Sequence, residues 1–197
     1  MEHGFYEPVL PHLQRALELD EKLVASGPDD AEAQYVVGRD YSYLADYYTH
    51  VSHWQSALQY HQRALAIDQR LFKVDPKNVN LVERITYDRL GIGEALLNSE
   101  RVNAAAEQYQ AVIDVTLPLT QKGSKGFISD YLGSAYEGMG NVKSWNASHA
   151  SSQQAKLLSK EGCSYYVKAY PILHGNLWDP DRAKRIEKEI SGCRQRP

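Results

Sequence analysis

"QRALELDEKL" occupies residues 14–23 and "QRALAIDQRL" occupies residues 62–71, nearly the same ten letters written 48 positions apart. A further shift of 48 lands on "QAVIDVTLPL" at 110–119, where the letters drift but the apolar pattern survives. Ala16, Leu17 and Leu19 align with Ala64, Leu65 and Ile67, and these with Val112, Ile113 and Val115. Three copies in register identify an internal repeat, and an internal repeat of this length points to stacked supersecondary units.

Each copy lies in a segment whose apolar residues recur at spacings of three and four. Trp54, Ala57, Leu58, His61, Ala64 and Leu65 form one such stripe, and Val102, Ala105, Ala106, Tyr109, Val112 and Ile113 form the next. That period marks one face of an amphipathic helix. A second helix precedes each copy, over Ala31–Tyr48, Val79–Leu97 and Phe127–Met139, so the unit is helix–turn–helix. Asp29 with Glu32 has capping-box spacing, and Asn78 is placed to cap the next helix. Gly123, Gly126, Gly140 and Gly162 are expected between helices. No alternating run long enough for a strand occurs, and the chain reads as all-α.

Small residues fall where helices must approach, namely Ala45, Gly93 and Gly133 on first helices and Ala57 and Ala105 on second ones. Tyr48, Trp54, Leu96, Tyr109 and Tyr136 are sized to fill the space around them. A helical hairpin cannot bury its apolar face alone, whereas stacked copies join those faces into one core. On this reading the repeated decapeptide is packing surface. The proline at Pro118 is expected to end or kink its helix.

Composition narrows the function. Charged residues make up 24% and hydrophobic ones 43%, with a net charge of −3 and a pI near 6.2. Without a basic patch there is no footprint for a phosphate backbone, so nucleic acid is not expected as a partner. No apolar run is long enough to span a bilayer, so no membrane is expected either, and "MEHGFYEP" lacks the features of a signal peptide. The expected address is the cytosol, with Cys163 and Cys193 reduced. Walker A, dinucleotide-glycine and Gly-x-Ser-x-Gly patterns are absent from the sequence, so no catalytic residue or cofactor is expected. His50, His53 and His61 near Asp46 raise a metal reading, but they lack ligand spacing and a clear third ligand, so no metal site is expected.

At the ends, Tyr6, Val9, Leu13, Ala16 and Leu17 match the second helix of a unit. Its first helix would lie before Met1, as in an array that starts with a lone helix or in a piece of a longer chain. Asp179-Pro180 should open a last helix with Ala183, Ile186, Ile190 and Cys193 on its apolar face. The organisation expected is a single domain over 1–197: a lone helix at 7–26, repeats at 29–75 and 78–121, a degenerate repeat at 126–161, and a linker with cap helix at 162–194.

Leu132-Gly133-Ser134-Ala135-Tyr136 reproduces the Leu-Gly-x-x-Tyr core of a tetratricopeptide repeat, and Ala105 with Tyr109 and Ala57 with His61 reproduce its Ala-x3-aromatic element. The chain resembles that family over 6–160, in a long form like the arrays of bacterial proteins, some appended to serine/threonine kinase domains. It departs from the family in its period, which is usually about 34. The resemblance implies an α-solenoid of antiparallel helix pairs wound into a right-handed superhelix, with a C-terminal capping helix. It also implies a concave groove for a peptide or partner helix, lined by Arg39, Ser42, Asp46 and Thr49, by Tyr87, Leu90, Glu94 and Leu97, and by Phe127, Asp130, Ser134 and Glu137. The Lys/Asn/Arg clamp that holds a C-terminal carboxylate in some members is not matched, since Ser42 and Asp46 stand at two of its positions. Acidic groups with Tyr87 and Phe127 suit a basic, partly hydrophobic protein or peptide. The alternative role is structural, through self-association into a homo-oligomer or packing against a neighbouring domain.

Overall fold

A computed structural model describes residues 9–174 and 180–195. The proposed match at Tyr6 and the capping role of Asp179 fall outside them. Among the described residues there are eight helices and no strand: α1 (Val9–Ser26), α2 (Ala31–His50), α3 (Trp54–Val74), α4 (Val79–Asn98), α5 (Val102–Gln121), α6 (Phe127–Ser148), α7 (Ser152–Leu173) and α8 (Pro180–Gln195). The fold is all-α. The first helices of the units begin at 31, 79 and 127, in step with the sequence repeat.

Local chemistry sets these starts. The side chain of Asp30 accepts from the backbone N–H groups of Glu32 and Ala33 at 2.9 and 3.1 Å, so the cap of α2 is Asp30, one residue later than the spacing of Asp29 and Glu32 suggests. Asn78 caps α4 as expected, accepting from Leu81 N at 3.4 Å. The turns into α3 and α5 pass through Ser52 and Glu100, both in the left-handed region at φ 57° and 60°. That conformation costs a non-glycine residue energy, and it recurs here at one place in two copies of the repeat.

Two of the four glycines expected between helices, Gly123 and Gly126, separate α5 from α6 with positive φ. Gly140 and Gly162 do not; they lie inside α6 and α7. The reason is close packing: a methyl group on Gly140 would come within 2.5 Å of the Tyr166 ring, and one on Gly138 equally close to the Tyr109 ring. As a result α6 runs on to Ser148 instead of stopping near Met139. The stretch from 162 onward, expected to extend the array before a loop, is helical to Leu173 as the continuation of α7. Pro118 does not end its helix either, since α5 continues to Gln121.

The chain divides into two compact units, one ending at Ser99 and the other beginning at Glu100. In the first, α1 packs on α2, α2 on α3 and α3 on α4; in the second, α5 packs on α6, α6 on α7 and α7 on α8. Leu17, Val37 and Leu44 centre one core cluster of the first unit, with Leu10, Leu13, Tyr48, Tyr60 and Ile67 around them. The rings of Tyr48 and Tyr60 stack with centroids 5.4 Å apart. Ala45 and Ala57 are fully buried, as expected of close-contact positions. In the second unit Ala105 is fully buried, and a methyl on Gly133 would press into Leu173 and Ile172 at 2.8–2.9 Å.

The expectation of two reduced cysteines is overturned, because Cys163 of α7 and Cys193 of α8 form a disulfide. The mainly polar α8 buries Ala183 and Ile186 and pairs Arg182 Nε with Glu137 Oε2 of α6 at 2.5 Å. A crosslink closing a loop of sequence separation 30 contributes roughly 2–4 kcal/mol, chiefly by restricting the unfolded chain. Native protein should therefore show no titratable thiol without reductant, and Cys163→Ser should lower the unfolding temperature measurably. Two free thiols, or a variant that unfolds at the wild-type temperature, would contradict the crosslink.

Candidate functional site

In the first unit, the face expected to meet a partner is carried by α2 and α4, where spacings of three and four bring its residues to one side of each helix. Arg39 is exposed, with its guanidinium 5.9 Å from the Tyr43 ring centroid and Nη2 3.9 Å from Asp40 Oδ1. Asp46 Oδ1 accepts from Tyr87 Oη at 2.5 Å, a contact that joins α2 to α4. Burial raises the Asp46 carboxyl above its ordinary value, and the Tyr87 hydrogen bond opposes that rise. Glu94 is exposed, while Leu90 and Leu97 are half-buried beside it. Tyr43 and Tyr87 are 49% and 36% exposed, leaving aromatic surface next to the acids.

Other residues of the expected lining are placed differently. Ser42 is buried and donates to Asp88 Oδ1 at 3.0 Å, so it holds α2 to α4 and cannot meet a partner. Thr49 is half-buried, with its hydroxyl withdrawn from solvent. In the second unit Phe127 is 59% exposed at the start of α6 and stacks on Tyr131. Ser134 donates to the Asp130 carbonyl at 2.8 Å, and burial raises the Asp130 carboxyl. Glu137 is engaged by Arg182 of α8, so α8 takes one of the expected acidic positions.

The sequence reading missed a buried polar layer between α3 and α4. Asp68 and Asp88 have no exposure to water. Arg84 donates from Nε to Asp68 Oδ2 at 2.9 Å, its Nη2 stands 2.8 Å from Asp68 Oδ1 as an ion pair, and its guanidinium lies over the Tyr35 ring at 4.1 Å. His61 Nδ1 lies 2.9 Å from Asp88 Oδ1. Burial pushes the Asp68 carboxyl up to about 6 against the pull of Arg84, and it raises Asp88 against His61 and Ser42. A signal for this layer was present: a carboxyl recurs at the same offset of the decapeptide, Asp20 then Asp68. A His–Asp pair can serve acid–base chemistry, but this one is sealed. His61 is 2% exposed, and its ring sits so close to α4 that a methyl on Gly91 would lie 2.1 Å from Nε2.

The histidines considered as a metal group separate in the structure. His50 Nδ1 contacts the Asp46 carbonyl at 3.1 Å, and His53 stacks on Tyr48. A cleft of about 500 Å³ opens elsewhere on the first unit, where Tyr35, Leu71, Val74 and Leu81 are rimmed by Glu32, Arg70 and Asp75. Comparison with known proteins finds no family model that matches the chain and no curated protein of significant similarity.

The packing of His61 gives a direct test. Gly91→Ala should displace the ring from Asp88 and destabilise the protein by about 1–3 kcal/mol, the usual cost of overpacking. Gly192→Ala, with open space at its Cβ, should be neutral or gain up to about 1 kcal/mol from helix propensity. Urea unfolding of both variants decides, and equal effects would contradict the close contact.

Proposed function

We propose that the chain is a tetratricopeptide-type α-solenoid acting as a non-catalytic protein-binding module, and that it takes a basic, partly hydrophobic peptide or partner helix. The equal spacing of helix starts and the packing of sequence neighbours support the solenoid. The observation that carries the binding role is the Asp46–Tyr87 pair, which fixes an acid beside exposed aromatic surface, with Glu94 further along α4. Aromatic groups favour interfaces, and acids around them set encounter rate and orientation.

A displayed library of random peptides tests this. Bound sequences should be enriched in Lys or Arg beside apolar residues, and reversing Asp46 and Glu94 to Lys should weaken a selected peptide by about tenfold or more, equivalent to about 1.4 kcal/mol. Unchanged affinity in the doubly reversed variant would sink the proposal. Among the described residues no helix is long and apolar enough to cross a membrane. Of the two addresses, cytosol and an oxidising compartment, the disulfide favours the second.

A second reading, self-association, is favoured by one feature of α1. Leu19 and Leu23 are 49% and 55% exposed, yet their counterparts one repeat later, Ile67 and Leu71, are covered in the first unit. Light scattering across a concentration range separates the readings: a monomer throughout supports peptide binding, and a mass that doubles supports assembly through α1.

A further inference from the structure

The hold of α8 on the second unit combines contacts of three kinds. Its apolar side is small: Ala183 and Ile186 are buried and Ile190 is half-buried, whereas α6 buries ten residues. Its charged side reaches α6, where Arg182 Nε donates to Glu137 Oε2 at 2.5 Å. Its far end is crosslinked, Cys193 to Cys163 of α7. An isolated helix of 16 residues is marginal in water, so α8 keeps its place through these contacts. Of the three, only the crosslink is made and broken by a chemical reaction. Both cysteines are only partly buried, so a small thiol can approach the bond.

In chemical terms α8 is also a ligand. Glu137 belongs to the face expected to meet a basic partner, and with α8 in place its side chain is 16% exposed. Asp130 stands seven residues earlier on the same side of α6. The helix that engages Glu137 carries five Lys or Arg against three Asp or Glu over 180–195, and it turns Ala183, Ile186 and Ile190 toward the protein. This is the basic, partly hydrophobic helix proposed above as a partner, here supplied by the chain itself.

We propose that α8 is an internal occupant of the Glu137 face, locked there by the Cys163–Cys193 disulfide, and that reduction releases it so that a basic amphipathic helix of another protein takes its place. That partner carries Arg followed by apolar residues one, four and eight positions on, the pattern of Arg182, Ala183, Ile186 and Ile190. The reductant is a dithiol. One of its sulfurs attacks the S–S bond, forming a mixed disulfide and releasing one cysteine; its second sulfur displaces the other cysteine. Two electrons and two protons pass from the dithiol, which ends as a disulfide, to Cys163 and Cys193, which end as thiols. The face is closed under oxidising conditions and open where a dithiol reductant is present. The partner half of this inference rests on the binding role proposed above, whereas the release of α8 does not.

Hydrogen exchange of the full chain, oxidised and after treatment with dithiothreitol, tests the release. Protection of α8 relative to α6 should fall about tenfold or more on reduction, because the crosslink no longer restricts opening. Cys193→Ser should show the same fall without reductant. Unchanged α8 protection would overturn the latch, and so would an equal loss in α6, which would make the disulfide a staple of the whole unit. Displacement is read with a synthetic peptide of residues 180–195 carrying Cys193→Ser, added to full chains carrying Arg182→Gln so that their own α8 competes weakly. The peptide should bind the reduced chain about tenfold or more tightly than the oxidised one, and adding Glu137→Gln should weaken it about tenfold, as for loss of a hydrogen bond to a charged group. Equal affinity for the two redox states, or no binding to the reduced chain, would overturn the displacement. Binding lost on reversing Asp46 and Glu94 but kept in Glu137→Gln would put the peptide on the first unit, which supports the binding role proposed above and contradicts this inference.

Discussion

Asp68 and Asp88 sit between α3 and α4 without exposure to water, and the rest of the first unit is arranged around that fact. An uncompensated buried charge costs several kcal/mol, so their neighbours cannot be exchanged freely. Arg84 is fixed by its bonds to Asp68 and by the Tyr35 ring beneath it. His61 and Ser42 are fixed by Asp88. Through Ser42 the constraint reaches α2, and Gly38 leaves room there for the ion pair. Apolar burial supplies the larger driving force, but it is non-directional. The polar layer adds direction, since Arg84 meets Asp68, and His61 and Ser42 meet Asp88, only where α2, α3 and α4 stand in matching register.

Much of this fold could be read from the sequence, and the failures have physical causes. The starts of α2, α4 and α6 were legible because a cap or turn residue stands before each at the same offset of the repeat, Asp30, Asn78 and Gly126. The end of α6 was not, because a glycine that breaks a helix and a glycine that admits a tyrosine ring look alike in one dimension; Gly138 and Gly140 belong to the second kind. The disulfide was missed because Cys163 and Cys193 are far apart in sequence and meet only once α7 and α8 are both formed. Asp68 carried no signal in the apolar pattern, since periodicity reports apolar positions and says nothing of a carboxyl paired across helices.

The candidate binding face was legible in part. Family position assigned residues to a lining without knowing which were already engaged. Ser42 and Glu137 turn out to serve the fold, one through Asp88 and the other through Arg182. Asp46, Tyr87 and Glu94 remain on the face carried by α2 and α4. The same residue types thus divide between holding helices together and presenting chemistry, and burial decides which.

The most direct measurement of the central claim is a double-mutant cycle on Asp68 and Arg84, read by urea unfolding. Arg84→Met alone should destabilise by about 3–5 kcal/mol, because it leaves Asp68 buried and unpaired. Adding Asp68→Leu should recover much of that loss, giving a coupling of at least about 1 kcal/mol. A nearly neutral Arg84→Met, or additive effects of the two substitutions, would contradict the account that this layer fixes the register of the unit.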